Sequence, residues 1–404
     1  TVEEGVRNSN GKVPKEKIRE RLVQDGYALI NNKLCSYDSL REKVGRCISD
    51  LEVKHNLPAT FVLLFDQTWT LAAESHNLLL RSNEQSQNRG ILQHAKNMAF
   101  NFDMLAWHID PRLDQSGFSP HRDRQPDSLS ALKQSFYSDG QAKYVTHWIA
   151  LTDANPENSC LYVIPKQYDP GYLKGDDPPM DEGSDDNSKK SGDCEQFLDP
   201  LSRALNTKQS YQNIRALPRE EGQSLIFTHR IMHWGSRGNK NALCVQPRIA
   251  ISFVYSDTDF EAPYLSEESF AEDDNGNWQI PLFSVRLLLV CAQLLIYYQR
   301  FDLSTATIRA CYDYCKTNAH KLHDAYRKKV FVEFVKAMKE RRDGIANDSA
   351  NDDEEAGDAN SEDEEALLEE MLNHSDEFDD DYDETMHNDD DTMQNDNAKK
   401  RKIE

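Results

Sequence analysis

Two histidines, an aspartate and an arginine stand in an order that could bind a metal ion and an acidic cosubstrate. His121 and Asp123 are two residues apart, and on an extended segment their side chains point to the same side. His233 follows an apolar β-like run, and with the first two it would form a two-histidine, one-carboxylate set, which leaves three positions open on Fe(II). Arg248 begins the next such run and could hold a carboxylate through two hydrogen bonds.

Other histidines compete for the role of metal ligand. His108 and Asp110 form a second H-x-D pair, which we interpret as strand residues that at most line a pocket. We interpret His147 as a sheet or pocket-wall residue and His229 as a surface group at a strand end. The alternative for the favoured set is a hydrogen-bonded cluster in a protein without catalytic activity, because short motifs also occur by chance.

A second arginine competes for the cosubstrate carboxylate. Arg237 lies nearer to His233 in the sequence than Arg248 does. We prefer Arg248, because it follows a proline and opens a β-like run on which its direction would be fixed. The alternative role for Arg248 is a structural salt bridge.

Short apolar runs separated by turn residues predict the strands that would carry these side chains. The runs cover residues 99–109, 143–154, 160–165, 223–229 and 247–256. No regular helical pattern falls between them, which favours an antiparallel sandwich or jelly roll over alternating strands and helices. Helical apolar spacing covers 14–56, where a second helix is predicted at 39–53, and residues 57–95 are predicted to be helix and loop. The helical period returns at 284–342.

Charge divides the chain into a near-neutral body and an acidic tail. The 404 residues carry a formal net charge of −23, of which −20 belongs to residues 344–404. Such a tail predicts disorder, and it could bind a basic protein partner. The body has no basic surplus, so nucleic acid is an improbable ligand.

Cysteine usage and the apolar runs indicate an intracellular protein. The eight cysteines have no regular spacing, which is typical of a reducing compartment. The first residues show no apolar stretch of signal-peptide type. The most apolar run, 287–298, has 12 residues and is too short to cross a membrane, so it predicts a buried helix.

Five motifs in one order resemble the phytanoyl-CoA dioxygenase family of Fe(II)- and 2-oxoglutarate-dependent oxygenases. ERLVQDGYALINN is similar to the family's opening helix and following strand, and SPHRDR to its H-x-D segment. WIALTDANPENSCLYVIP is similar to its supporting strand pair. EEGQSLIFTHRIMHWGSRGN is similar to its distal-histidine segment, and PRIAISFVY to its arginine strand.

The resemblance implies roles for the four residues singled out above. His121, Asp123 and His233 would bind iron, and Arg248 would bind the distal carboxylate of 2-oxoglutarate. It implies a mainly β protein with flanking helices and a double-stranded β-helix core of jelly-roll or cupin type. Two departures bear on the substrate: Ser159 replaces a usual glycine, and Lys166-Gln167-Tyr168 (166–168) replaces a usual Gly-Ser-His.

The predicted organisation has four parts. Residues 1–17 form a flexible N-terminus, and 18–283 form the oxygenase domain, with an acidic loop insertion at 171–200. A helical segment follows at 284–343, and 344–404 form the disordered acidic tail.

The favoured function is a dioxygenase that hydroxylates a small organic or acyl substrate while 2-oxoglutarate and O2 become succinate and CO2. The expected partners are this small molecule and O2, with no membrane. A nuclear protein hydroxylase of the same chemistry is an alternative, because a basic cluster ends the chain at Lys399, Lys400, Arg401 and Lys402. Localisation is therefore predicted to be cytoplasmic or nuclear. A catalytically dead jelly-roll interaction protein is the other alternative.

Overall fold

The computed structural model describes residues 14–33, 38–80, 90–92, 97–125, 129–175, 200–241, 246–270, 279–301 and 303–349. The chain divides into two compact units. The first comprises Thr1–Cys291 with Thr317–Tyr326, and the second comprises Ala292–Lys316 with Arg327–Glu404. The predicted division at 283/284 stays a prediction.

Two antiparallel sheets form the centre of the first unit. Within the described ranges the strands are β1 Tyr27–Ile30, β2 Met98–Ile109, β3 Tyr144–Ala150, β4 Leu161–Ile164, β5 Arg215–Leu217, β6 Ser224–Thr228, β7 Met232–Gly235 and β8 Arg248–Asp257. The larger sheet has the order β1-β6-β3-β8-β2, and the smaller has the order β5-β4-β7. Residues 116–121 extend the smaller sheet beyond β7 through the bridges Ser116–Arg237 and His121–His233.

The chain passes repeatedly from one sheet to the other. After β2 in the larger sheet it enters the smaller one at 116–121, returns in β3 and crosses again to β4 and β5. It then returns in β6, crosses to β7 and ends in β8. This path is that of a double-stranded β-helix, so the predicted fold class is confirmed.

All five predicted strands are present, and two short ones were missed. β5 and β7 have three and four residues, too few to show an alternating pattern in the sequence. Residues 27–30 are a strand, as the family resemblance implied, and not part of a helix as apolar spacing suggested. The preceding helix ends at Gly26, whose φ of 82° lies in the left-handed region and turns the chain out of the helix.

In the described ranges, three α-helices of the first unit precede β2 and four follow it. They are α1 Lys15–Asp25, α2 Asp38–Ser49, α3 Asp66–Leu79, α4 Leu129–Gln134, α5 Gly171–Lys174, α6 Pro200–Ala204 and α7 Phe283–Ile296, which continues past the unit's end at residue 291. A π-helical turn, Asp50–Lys54, completes the predicted helix 39–53, and a 3-10 helix covers Ala59–Leu64. None of the helices in the described ranges has the length and apolarity needed to cross a membrane.

The second unit contains most of α8 Thr305–Thr317 and α9 Asp324–Ser349. Within it the ring of Tyr312 stacks on Phe334 at 3.8 Å between centroids and meets Phe331 edge-on. Aromatic contacts of this kind fix the two helices against each other.

Helices extend into two segments that were predicted as loop or tail, and the predicted bounds of these segments stay predictions. The insertion predicted at 171–200 begins with α5, because Tyr172 is buried in the core and its hydroxyl lies 2.7 Å from Oγ1 of Thr228. Helix α9 continues to Ser349, past the predicted start of the tail at 344. Residues 176–199 of the insertion, residues 350–404 of the tail and the terminal basic cluster lie outside the described residues.

The outer face of the larger sheet holds a buried polar group on β3. Nδ1 of His147 lies 2.7 Å from Oγ of Ser75 in α3, and the same Oγ lies 2.7 Å from the hydroxyl of Tyr255 in β8. Burial lowers the pKa of His147 to about 3. His147 is therefore a structural residue of the sheet, as predicted, and it stays neutral in the folded protein.

We expect acid to destabilise the metal-free protein partly through His147. A histidine whose folded-state pKa lies below its unfolded value of 6.5 stabilises the fold above pH 6.5 and loses that contribution as pH falls towards the folded pKa. Between pH 6.5 and 5 the free energy of unfolding should fall by up to about 1.4 kcal/mol per pH unit for this group. Urea titrations across this range should show a shallower fall in His147→Gln, and equal slopes would contradict the assignment.

Candidate metal centre and cosubstrate site

His121 and His233 lie side by side as a hydrogen-bonded antiparallel pair. Each backbone N–H donates to the other residue's carbonyl oxygen at 3.0 Å, and the ring centroids are 4.3 Å apart. The other neighbour of His233 across the smaller sheet is Val163 in β4. The aromatic rings of Phe118 and Phe227 pack against the pair. The sheet thus fixes both histidines from their backbones outward.

Asp123 completes a three-residue cluster with these histidines. Its Oδ1 lies 3.7 Å from Nε2 of His121 and 3.5 Å from Nε2 of His233. Its Oδ2 accepts a hydrogen bond of 2.6 Å from Oγ1 of Thr146 in β3. In the described part of the chain this is the one group of three histidine, cysteine or acidic side chains whose ligand atoms all lie within 4.8 Å of one another.

Hydrogen bonds to the backbone orient both imidazole rings. Nδ1 of His121 donates to the carbonyl oxygen of Ser119 at 2.7 Å, and Nδ1 of His233 donates to that of Ile231 at 3.1 Å. Because Nδ1 carries the proton in each neutral ring, Nε2 keeps its lone pair and faces Asp123. Carbonyl partners of this kind are the usual support of a metal-binding histidine.

The protonation states also match those of metal ligands. Burial lowers the pKa of His233 to about 4, so this ring is neutral at physiological pH. Burial alone would raise the pKa of Asp123, but the neighbouring His233 and His121 and the Thr146 hydrogen bond outweigh it, and the pKa is lowered. Metal binding needs neutral imidazole and ionised carboxylate, and His233 and Asp123 have these protonation states.

Arg248 is a buried cation at the start of β8. It is 2% exposed, and it makes no ion pair with a carboxylate in the described part of the chain. Its Nη2 lies 3.5 Å from Oγ of Ser159, its Nε has no hydrogen-bond partner, and its guanidinium lies 5.7 Å from the ring centre of Trp148. Burial lowers its pKa to about 10. A desolvated guanidinium without a counter-charge is costly, so this arrangement favours an anionic ligand.

Two glycines make room beside the guanidinium. A Cβ on Gly117 would lie 2.7 Å from Cα of Gly235 and 3.2 Å from Nη2 of Arg248. A Cβ on Gly235 would lie 2.8 Å from Cα of Gly117. Only glycine therefore lets the chain before His121 approach the end of β7 this closely. This pair could not be predicted from the sequence, because nothing local marks two glycines 118 residues apart as neighbours.

The rival H-x-D pair lies away from the cluster. His108 pairs with Ile249 across β2 and β8, whereas Trp107 pairs with Ala250, whose side chain faces the space between the sheets. His108 therefore points to the outer face and does not line the interior. Asp110 forms an ion pair with Arg112, Oδ2 to Nη2 at 2.6 Å.

The other competitors also have partners elsewhere. Arg237 is exposed and pairs with Asp114. The interpretation of His229 as a surface group is wrong, because the residue is fully buried: Nε2 lies 2.9 Å from Oγ of Ser135, and the ring packs against Phe136.

The structure gives a reason for one of the two departures from the family pattern. Ser159 has a φ of 77°, in the left-handed region that favours glycine. A serine at this position bears that strain while placing its hydroxyl near Arg248. Lys166 lies in a 3-10 helix, Lys166–Tyr168, and its Nζ donates to the carbonyl oxygen of Val23 at 3.0 Å.

Comparison with known proteins identifies the domain. Residues 54–244 match the family model for phytanoyl-CoA dioxygenase (PhyH). The chain contains a phytanoyl-CoA dioxygenase domain. It is therefore a dioxygenase-type oxidoreductase, and the cofactors of the phytanoyl-CoA dioxygenase family are Fe(II) and 2-oxoglutarate. No curated protein matches the chain.

Several solved structures resemble the chain at low identity. The non-haem α-ketoglutarate-dependent carbocyclase SnoK of nogalamycin biosynthesis is 16% identical, with 61% of this chain and 88% of that chain covered and a TM-score of 0.38. HygX from Streptomyces hygroscopicus, solved with nickel, 2-oxoglutarate and hygromycin B, is 15% identical, with 60% and 87% covered and a TM-score of 0.35. The epimerase SnoN is 14% identical, with 60% and 81% covered and a TM-score of 0.32.

The residues of the phytanoyl-CoA dioxygenase domain fit both groups that the family uses. Two imidazole nitrogens and one carboxylate are the donor set of non-haem Fe(II) oxygenases. Arg248, which lacks a carboxylate partner and lies beside the paired glycines, fits a dicarboxylate cosubstrate. The roles of the individual residues are proposals, which the following experiments test.

We expect Gly235→Ala to weaken 2-oxoglutarate binding at least about tenfold. The new Cβ would overlap the backbone of Gly117, so the two chains must separate next to Arg248. The dissociation constant can be measured by anaerobic titration of the Fe(II)-loaded protein. Gly45→Ala is the control, because a Cβ there meets Cβ of Leu151 at an ordinary 3.6 Å. Wild-type affinity in Gly235→Ala would show that the close approach is not required.

Proposed function

We propose that this chain is an Fe(II)- and 2-oxoglutarate-dependent dioxygenase that hydroxylates a small organic or acyl molecule. The observation that carries the proposal is the buried guanidinium of Arg248, which has no carboxylate partner among the described residues, in the same compact unit as the His121–Asp123–His233 cluster. A group of three metal-binding side chains alone would fit many functions. A buried cation alone would only destabilise the core. Together they match a site that binds a metal and a carboxylate at once.

Each residue has a distinct task in the proposal. His121, Asp123 and His233 would hold Fe(II) through two Nε2 atoms and one carboxylate oxygen. Arg248 would pair with the distal carboxylate of 2-oxoglutarate in a site from which water is excluded, where a charge-assisted hydrogen bond is strong. When bound, the iron would activate O2, which would oxidise 2-oxoglutarate to succinate and CO2 with one oxygen atom and hydroxylate the substrate with the other.

The environment of the cluster supports access from one side. His233 is buried, whereas His121 is partly exposed. Trp107 and Phe118 contact each other edge-on beside His121. A substrate would therefore approach from the His121 side, across an aromatic wall, which favours an organic molecule with apolar surface.

The test is an anaerobic titration of Fe(II) and then 2-oxoglutarate into the purified protein. Chelation of Fe(II) by the keto acid should give a weak visible charge-transfer band. Succinate release after oxygen is admitted should then rise when a substrate from a panel of organic and acyl molecules is present. Absence of the band in folded protein would overturn the proposal and favour a non-catalytic interaction protein.

A further inference from the structure

Thr146 lies at the middle of the larger sheet, next to the His121–Asp123–His233 cluster. It belongs to β3, the central strand, and its neighbours in register are Phe227 in β6 and Val254 in β8. Strands on both sides hold its backbone, and the side chain is buried. Its hydroxyl is therefore a fixed hydrogen-bond donor.

The Thr146 hydroxyl donates a hydrogen bond to one carboxylate oxygen of Asp123 and leaves the other oxygen to bind a metal. Oγ1 of Thr146 donates to Oδ2 at 2.6 Å, while Oδ1 faces Nε2 of His121 and of His233. We propose that Thr146 is a positioning residue that makes Asp123 a one-oxygen metal ligand. This inference rests on the proposed function, because it assigns the support of the same metal site.

The consequence concerns the number of coordination positions that the protein occupies. A carboxylate whose two oxygens are equivalent can rotate and bind a metal through both of them. Two histidines with a one-oxygen carboxylate leave three positions for cosubstrate and O2, whereas a two-oxygen carboxylate would leave two. The threonine hydroxyl thus keeps a position open as well as orienting the ligand.

The chain offers an isosteric variant and a matched control. Thr146→Val removes the hydroxyl and keeps the shape and the β-branched side chain, and Thr146→Ser keeps a hydroxyl. Thr228→Val is the control, because Thr228 is also a buried strand threonine but its hydroxyl contacts Tyr172. Thermal unfolding of each metal-free protein checks that the variants fold.

The experiment measures Co(II) binding without cosubstrate, by its visible absorption. We expect Thr146→Val to bind Co(II) about 10- to 100-fold more weakly than the wild type, with an altered spectrum. Thr146→Ser should recover most of the affinity, and Thr228→Val should bind as the wild type does. Wild-type affinity and spectrum in Thr146→Val would overturn the inference alone. Failure of the wild type to bind Co(II) would instead overturn the metal site and the proposed function with it.

Discussion

Replacing Arg248 with methionine should abolish 2-oxoglutarate binding and leave the protein without ligands at least as stable as the wild type. The two effects have one cause. The guanidinium is buried and has no ion-pair partner among the described residues, so it costs free energy until an anion arrives. Methionine fills a similar volume without a charge and removes both the cost and the binding energy.

The expected loss of affinity is large. Removing one partner of a buried, hydrogen-bonded charge pair costs about 3–5 kcal/mol, which corresponds to a loss of affinity of at least about a hundredfold. Titration of 2-oxoglutarate into the Fe(II)-loaded variant measures this loss. Fe(II) or Co(II) affinity should be unchanged, because Arg248 is not a metal ligand in the proposed site.

Unfolding measurements distinguish this role from a structural salt bridge. If Arg248 held a carboxylate of the protein, Arg248→Met would lower the free energy of unfolding by several kcal/mol and would leave 2-oxoglutarate affinity intact. The control is Arg237→Met, which removes an exposed ion pair with Asp114. Exposed pairs contribute about 0–1 kcal/mol, so this variant should change neither property measurably.

The strands and the metal ligands could be predicted because their signals are local. Short apolar runs bounded by turn residues at 143–154 and 247–256 predict β3 and β8, and the spacing of His121 and Asp123 puts both side chains on one side of an extended segment. His121, Asp123, His233 and Arg248 also occur in the order of the family's motifs, which made the family resemblance recognisable. These features can be recognised without knowing which strands are neighbours.

The remaining features depend on strand pairing and could not be read from the sequence. β2 contains an irregularity between Phe100 and Met104, and Phe102 there has a φ of 70°. Four steps along β2 correspond to two steps along β8 across this bulge, so the alternation of faces is preserved, but which face of β2 is the inner one follows only from the register with β8. Thr146 likewise gains its partner across the sheets, and His229 is covered by Ser135 and Phe136, far away in the sequence.

We expect His121→Ala to weaken metal binding strongly and His108→Ala to leave it unchanged. Both histidines begin an H-x-D motif, so the sequence presents the same local pattern twice. The structure separates them: Nε2 of His121 faces Asp123 at 3.7 Å, whereas His108 lies on the outer face of the larger sheet. Loss of a metal ligand should weaken Co(II) and Fe(II) binding by more than about a hundredfold, since loss of a supporting contact alone costs about 10- to 100-fold.

His108→Ala should lower stability and leave metal affinity unchanged. His108 is buried, so truncation leaves a cavity and costs free energy of unfolding. His121 is partly exposed at the edge of the sheet, and its truncation should cost less stability. We therefore expect His121→Ala to lose mainly metal affinity and His108→Ala to lose mainly stability. Measuring metal affinity and the free energy of unfolding for both variants distinguishes a metal ligand from a core histidine. Metal affinity lost in His108→Ala and kept in His121→Ala would move the metal site to the other H-x-D pair, and no change in either would remove the metal from this domain.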